Sequence, residues 1–566
     1  MELTSAFRRP LPTGRSYADR FAREMRLVEQ NNFKDVFLQV RSILDLVPEF
    51  RYVTRGSAGC SLIGYLLGIH NMDPVEHGFA LSRFMHEGRL DLPDVDLDFA
   101  YNQRDEVIRR VMLKYPGRVA RISNHVTYKS TSAIRQALRE IGLHRFLPKG
   151  FNLKDVVGDR SDEVLNRAAE IVGDFKNYSL HCGGIVIFPD LVPEEWKLND
   201  FQIKLNKDEV EDHKLFKIDI LCNRGLAQLN ELSNRPLENY PADDEATARI
   251  FSDGCAWGVN FGESPAQRKL HVELQPKCRD DIIFSLALIR PLPSADGKRM
   301  QILRQLRQHG NYLGQMVYDD DGIFYIRDLL NCSESEAELY RNAFSKKKYD
   351  KIAEFIEKTK YHPNQAQIVN DLNRFSLYSF CRAHAVNYGQ LVWALAYEKA
   401  HQPFKFWCSV LNHAESMYRP WVHVQEAKAA GLVFGAFGKG PWKLDGNVLT
   451  PSIVEERGKG LWQYNRRGYW ISEKFMPGCF CERNGNQVKF RGLIATGRHH
   501  GVDKRKITFM TVGYDTGKYL ELVLNGYVHY SSYDFVEGEG SINSTSVKVN
   551  NFRLHKAPKI SSNSKQ

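Results

Sequence analysis

The sequence predicts a multidomain protein of mixed α and β structure, and three observations carry that expectation. The chain has 566 residues, 43% of them hydrophobic and 26% charged. At ~100–200 residues per domain that length holds about three to five domains. Short strand-like runs that carry acids, LPDVDLDFA at 92–100 with three and LFKIDIL at 215–221 with one, are set among helical stretches. After residue 414 the texture changes to glycine, aromatics and short alternating runs.

Composition removes several classes. The balance of residue types does not fit collagen-like, disordered or disulfide-scaffold chains. No run of about 18 apolar residues occurs, so no membrane span is expected. The opening MELTSAFRRPLPTGRS has arginines without an apolar stretch behind them, so no signal peptide is expected. Ten cysteines are scattered without a paired framework, which suits a reducing cytosol. The expectation is a cytoplasmic protein. Its net charge is +10, and residues 415–566, with 22 basic and 13 acidic side chains, hold nearly all of it. A basic surplus at one end suits a polyanionic partner; a solvated, solubilising face is the alternative.

Taken in order, Ser16 to Leu44 reads as a helix pair with apolar positions Phe21, Met25, Leu27, Val28, Val36, Phe37, Val40 and Ile43. The small-residue loop Arg55–Ser61 opens into the apolar stretch Leu62–Ile69, and the acidic strand at 92–100 follows. Asp105 to Tyr115 and Ser130 to Ile141 read as helices. Gly183 and Gly184 precede a short apolar run, Ile185–Phe188, and 215–221 is a second acidic strand. Residues 333–414 are mostly helical. KITFMTV (506–512) and YLELVL (519–524), joined by a turn at 513–518, read as a hairpin. The last dozen residues read as a loose tail.

The strongest chemical signal is Asp94, Asp96 and Asp98. Residues i, i+2 and i+4 of a strand share one face, so three carboxylates would converge while Val95, Leu97 and Phe99 pack behind. Carboxylates this close repel unless a cation neutralises them, and hard divalent ions such as Mg²⁺ suit clustered carboxylate oxygens. Asp219 would add an acid from a neighbouring strand. Two ions held ~3.5–4 Å apart would activate a 3′-hydroxyl and stabilise a leaving pyrophosphate. An exposed acidic strand edge is the bland reading.

The loop Arg55-Gly56-Ser57-Ala58-Gly59-Cys60-Ser61 lets backbone N–H groups approach an anion but lacks the Lys-Ser/Thr ending of a Walker loop. A plain glycine turn is its alternative. Lys217, two residues before Asp219, would face a phosphate or form a surface ion pair. Arg83 and Arg89 admit the same two readings. Lys346, Lys347 and Lys348 read as a solvated face. Cys479 and Cys481 have no second pair at zinc spacing. Gly458-Lys459-Gly460 reads as a turn.

Taken together and in order, these segments resemble the alpha subunit of bacterial replicative DNA polymerase III, the C family of DNA polymerases. The residues that carry the resemblance are RGSAGCSLIGYLLGI (55–69), RFMHEGRLDLPDVDLDF (83–99), RDEVIRRVMLKY (104–115), HCGGIVI (181–187), LFKIDIL (215–221), FGESPAQR (261–268), IRPLP (289–293), AFSKKK (343–348) and FCRAHAVNY (380–388). They run colinearly over residues 16–414.

The resemblance implies a polymerase beta-like nucleotidyltransferase palm with helical thumb and fingers and a C-terminal OB-like β-barrel. The expected boundaries are palm at 1–125 and 181–225, thumb at 126–180 and fingers at 226–414. A reduced helix-hairpin-helix connector at 415–490 and an OB-like domain with tail at 491–566 complete them. Asp94, Asp96 and Asp219 would hold two Mg²⁺ ions; Asp98 belongs to the motif without being fixed as a ligand. Gly56 and Ser57 would hold the incoming deoxynucleoside triphosphate, with Arg83, Arg89, Lys217, Arg341 and His384. Asn342 replaces the second family arginine, and Cys381 and Arg382 stand where Asn and Lys are usual, which bears on nucleotide affinity and selectivity. Primer-template DNA is the implied partner, with a sliding clamp or other replisome proteins as further candidates.

Family members begin with a His-rich PHP domain, whereas no histidine precedes His70 here, so neither a PHP metal site nor a proofreading exonuclease is expected. Such a minimal form suits a phage or mobile element. The expected function is DNA-directed DNA synthesis; an inactive relative serving as a DNA-binding scaffold, or a template-independent nucleotidyltransferase, are the alternatives.

Overall fold

The computed structural model describes residues 2–87, 92–144, 151–290, 297–310, 316–375, 380–413, 416–436, 438–453, 478–502, 505–531, 534–543 and 546–556. Arg89, the end of IRPLP and Gly458-Lys459-Gly460 lie outside the described residues. The expected helix pair is present as Arg15–Gln30 and Lys34–Asp45. Its apolar stripe, including Leu27, Val28, Val36, Phe37 and Val40, is buried in the first core.

That core lies under a seven-stranded sheet made of β1 (Tyr52–Arg55), β2 (Val95–Ala100), β3 (Val119–Thr127), β4 (Phe175–Ile187), β5 (Lys197–Asn199), β6 (Gln202–Ile203) and β7 (Lys217–Asn223). The spatial order is β1-β2-β7-β4-β3-β6-β5. Strands β2 and β7 run parallel, whereas β1 is antiparallel to β2 and β4 to β7. Period-two alternation sends Val95, Leu97, Phe99, Ile218 and Ile220 into the core and leaves the acids of both strands on the opposite face. β4 departs from expectation. The glycine pair lies inside a 13-residue strand rather than ahead of a short one. A side chain at Gly183 would meet the Ile220 carbonyl oxygen at 2.6 Å, so only glycine fits there.

Between β3 and β4, the helices Ser130–Glu140, Leu153–Val157 and Ser161–Ile171 surround a small core of their own that includes Ala133, Ala137, Leu138, Val164 and Ala168. The segment expected as a thumb is therefore helical in its middle, while its ends belong to the sheet.

From Arg224–Leu232 to Pro403–Asn412 the described chain is almost wholly helical. The helix Arg382–His401 runs through the middle of this region, buried on nearly every side, and packs on Arg279–Leu288. A separate core holds the helices Asp319–Leu330, Glu334–Lys346, Tyr349–Lys358 and Gln365–Phe375 together through Ile323, Ile326, Tyr340, Phe344 and Phe355.

The connector differs from a helix-hairpin-helix remnant. Its described residues form one helix, Pro420–Ala429, and short strands β8 (Val433–Phe434), β9 (Gly438–Lys439), β10 (Lys443–Asp445), β11 (Val448–Thr450) and β12 (Ser452–Ile453). The final domain begins before residue 491, because Val488 and Phe490 already alternate into its core. It consists of β13 (Phe480–Asn484), β14 (Gln487–Val502), β15 (Arg505–Asp515), β16 (Lys518–Asn525), β17 (Phe535–Asn543) and β18 (Ser546–His555). Strands β14 to β18 close into a five-stranded barrel: β14 pairs with β17, and β16 runs parallel to β18. This is the expected OB-like barrel. The anticipated hairpin is tighter than expected, turning at Thr516 and Gly517, with Gly517 at φ +67°. Among the described residues no helix is long and apolar enough to cross a membrane.

Helical region, connector and barrel meet at a buried charge network. One Glu263 oxygen accepts from Gly258 N (2.9 Å) and His423 Nε2 (3.0 Å), the other from Arg224 (3.0 Å) and Ser416 Oγ (2.6 Å). Nearby, Arg268 reaches Glu521 of the barrel at 3.0 Å and stacks on Trp257 at 3.5 Å. Burial alone would raise the Glu263 carboxyl, but the bond and charge of His423, then Arg224 and Ser416, hold it well below the usual carboxylate range. A depressed carboxylate stabilises the fold above its unfolded pKa of about 4.3 and loses that contribution as pH falls below it. Glu263→Ala is expected to cost about 3–5 kcal/mol. The gap between wild type and Glu263→Gln in thermal melts should narrow as pH falls from about 5 to about 2; a gap that stays constant would remove Glu263 from the acid response.

Candidate active site

The polar face of the sheet is built on one register row. Arg55 of β1 lies opposite Asp96 of β2, Asp96 beside Asp219 of β7, and Asp219 opposite Gly184 of β4. Neighbouring strands are ~4.8 Å apart, so two carboxylates are held side by side. Burial, then the Asp219 charge, pushes the Asp96 carboxyl up to about 7, with Asp94 adding to the rise and Lys217 opposing it. Asp94 precedes the first residue of β2 and is exposed, so the three acids of the motif do not converge equally.

Lys217 departs from the surface-pair reading. It is buried, and its ammonium lies 2.7 Å from Asp219 Oδ2. Asp219 Oδ1 is buried and has no hydrogen-bond partner, and His181 Nδ1 lies 3.7 Å from it. His181 Nδ1 accepts from Gly184 N at 2.7 Å, and burial lowers the ring's pKa, so it is neutral. Sequence reasoning quoted His181 within HCGGIVI but gave it no role, because only the register of β4 on β7 brings it to Asp219.

Asp98 is on the same face but is fully enclosed. Arg55 Nη2 donates to both of its oxygens at 2.9 and 2.8 Å, Tyr388 Oη donates to Oδ2, and Asn223 Nδ2 donates to Oδ2 at 3.3 Å. Convergence of Asp98 with the other acids toward a cation is therefore not what the structure shows.

The small-residue loop leaves β1 directly after Arg55 and turns as a short 3₁₀ segment, Gly56–Cys60, with Gly56 at φ +72°, a conformation that favours glycine. Its backbone is fixed by the helix Arg382–His401. Gly56 N donates to His384 Nδ1 at 3.1 Å, and Cys381 Sγ donates to the Gly56 carbonyl at 3.5 Å. The His384 ring stacks on Tyr388, centroids 4.6 Å apart at 19°. Burial, then Arg55 and Arg290, lowers the His384 pKa to about 3, so the ring is neutral with its proton on Nε2.

Two expected nucleotide contacts are engaged elsewhere. Arg341 is buried, with both ends of its guanidinium on Glu338 at 2.6 and 2.8 Å. Arg83 bonds Asp319 at 3.0 Å and lies 3.8 Å from Glu338. These four side chains form a charge cluster that ties the sheet domain to the helices Asp319–Leu330 and Glu334–Lys346. In this structure both arginines serve that junction rather than an open nucleotide surface.

Among the described residues no three His, Cys, Asp or Glu side chains form a ready-made metal cage. The acids nevertheless fit a divalent cation on one observation: Asp219 Oδ1 is buried and bare beside a second carboxylate. Mg²⁺ is usually held by one or two carboxylates with substrate phosphates completing its shell.

Residues 2–222 match the family described as the bacterial DNA polymerase III alpha NTPase domain, and residues 223–366 the finger domain of the same subunit. The chain is 26% identical over 505 residues to DNA polymerase III subunit alpha of Aquifex aeolicus, covering 74% of this chain and 43% of the relative. It is 29% identical over 480 residues to the Bacillus subtilis subunit, with the same coverage. An error-prone DNA polymerase of Corynebacterium glutamicum is 28% identical over 456 residues, 72% of this chain and 43% of the relative. The chain thus spans less than half the length of these relatives. Both domain matches run consecutively, through the sheet that carries the acids and on into the helices that follow it, and the chain belongs to the bacterial DNA polymerase III alpha family, the C family of DNA polymerases.

Proposed function

We propose that this chain is a DNA-directed DNA polymerase that extends a primer by nucleotidyl transfer. The observation that carries the reading is the Asp96–Asp219 pair on adjacent parallel strands, one residue from the Gly56 loop. Asp94, Asp96 and Asp219 would hold two Mg²⁺ ions, which when bound supply the positive charge that activates a primer 3′-hydroxyl and stabilises pyrophosphate as it leaves. Lys217 occupies Asp219 Oδ2 and leaves Oδ1 without a partner. Ser57 presents its backbone N–H to the triphosphate of a deoxynucleotide, on a turn made possible by Gly56, whose own N–H is taken by His384 Nδ1. His384, neutral and pinned through Nδ1, offers its Nε2 proton as a fixed donor beside that loop.

The barrel supplies a surface for the template. Arg498, Lys506, Phe509 and Tyr527 are exposed on its flank, with Arg498 over the Phe509 ring and Lys506 over Tyr527. Cations interleaved with aromatic faces suit single-stranded DNA. Truncation at residue 491 would cut β14 and remove Leu493, Ala495 and Phe535 from the helical core, so point variants are the better test.

Four outcomes are expected. Asp96→Asn or Asp219→Asn lowers single-nucleotide extension by more than about 10³-fold while primer-template affinity stays within a few-fold; extension near the wild-type rate in either would end the assignment. Because Asp96 takes up a proton near pH 7, the Mg²⁺ concentration giving half-maximal extension should rise as pH falls from 8 to 6, and a pH-independent requirement would count against Asp96 as a ligand. Arg498→Ala with Lys506→Ala should weaken template binding and flatten its salt slope by about 0.7–0.9 per lost phosphate contact; an unchanged slope moves the DNA surface off the barrel. The reading includes no proofreading nuclease, so a mismatched primer should remain intact.

A further inference from the structure

The third acid of the strand has a role that the metal reading does not supply. Asp98 is fully buried and its two oxygens together receive four hydrogen bonds, from Arg55 twice, Tyr388 and Asn223. A ligand oxygen needs a lone pair open to the cation; Asp219 Oδ1 receives no hydrogen bond, whereas both Asp98 oxygens accept from Arg55 and the carboxylate is wholly enclosed. Burying an ion pair adds little net stability compared with apolar filling, so what this pair delivers is direction.

Two of the three partners of Asp98, Arg55 and Tyr388, lead to the nucleotide loop or to the helix that fixes it. Arg55 is the residue before Gly56. Tyr388 belongs to the helix Arg382–His401, receives Arg55 Nη2 at 3.0 Å, and supports the His384 ring by stacking. Phe261 braces its other side edge-on, centroids 4.8 Å apart. Asn387, next to Tyr388, donates to the Thr54 carbonyl at 2.5 Å. Asn223 caps the helix Arg224–Leu232 through Leu226 N at 3.1 Å. Strand, loop and helix are joined at one carboxylate.

We propose that Asp98 and Tyr388 are positioning residues for the incoming nucleotide: the carboxylate holds Arg55 and Tyr388 together, and these set the Gly56–Ser57 loop and His384 over the Asp96–Asp219 pair. The role rests on the polymerase reading above. Asp98 does not touch the cation; it acts through Tyr388 and the loop.

The test uses the full chain with Asp98→Asn, which keeps the shape, and Tyr388→Phe, which keeps the ring. In single-nucleotide extension on a primer-template, both variants should raise the deoxynucleotide KM about tenfold, as expected for loss of a charge-assisted hydrogen bond. The fall in kcat should be smaller, and the half-saturating Mg²⁺ concentration should stay at the wild-type value. The double variant should match either single one rather than multiply their effects, because both break one linkage. A raised Mg²⁺ requirement confined to Asp98→Asn would make Asp98 a ligand and overturn the proposal, as would multiplicative effects or an unchanged KM.

Backbone amide exchange supplies a readout that needs no activity. Residues 54–61 and 380–390 should exchange about tenfold faster in both variants, with the barrel unaffected. Unchanged exchange there overturns the proposal even if wild type extends no primer. Failure of wild type to extend, with exchange accelerated as expected, overturns the polymerase reading and leaves the positioning linkage standing.

Discussion

Two like charges side by side on neighbouring strands are the constraint to which the rest of the sheet domain answers. Register alone places Asp96 beside Asp219, and burial first, with the Asp219 charge added to it, lifts the Asp96 carboxyl to about 7. The fold tolerates this with a buried ammonium, Lys217, on one oxygen of Asp219. The other oxygen is left bare. A site that stores repulsion in this way gains free energy when a divalent cation arrives, which links stability, pH and metal affinity in one place.

The neighbouring strand position shows the opposite solution. Asp98 faces the same side as Asp96 but is paired with a guanidinium and hydrogen-bonded on both oxygens. Two acids separated by a single residue thus serve two purposes: one is kept open to ligands, the other joins sheet, loop and helix. The charge cluster of Arg83, Asp319, Glu338 and Arg341 repeats that second purpose farther along the junction. The Glu263–His423 network does so again where helices, connector and barrel meet. Buried charges in this chain mark the places where separate elements must hold one orientation.

Much of this was legible in the sequence. Alternation in VDLDFA and KIDIL gave both acidic strands and their apolar backs, and the i, i+4 stripe of residues 16–44 gave the opening helices. The small-residue loop before the acids was legible as a glycine-rich turn. What escaped was long-range. Nothing in HCGGIVI signals that His181 will face Asp219, since that follows from β4 pairing with β7 across about 35 residues of chain. Spacing could not separate Asp96 from Asp98, because the difference lies in Tyr388, which is nearly 300 residues away. Basic residues read as nucleotide contacts, Arg83 and Arg341, found acidic partners on finger helices instead. The connector was misjudged because short strands of two or three residues leave no periodic signal.

The central claim is that the acidic pair performs templated chemistry, and single-nucleotide incorporation read against the template base tests it most directly. With Mg²⁺, the purified chain should add to a primer the deoxynucleotide complementary to each of four template bases and should discriminate strongly against the other three. Addition that ignores the template base, or DNA binding with no addition under any divalent cation, would contradict the account.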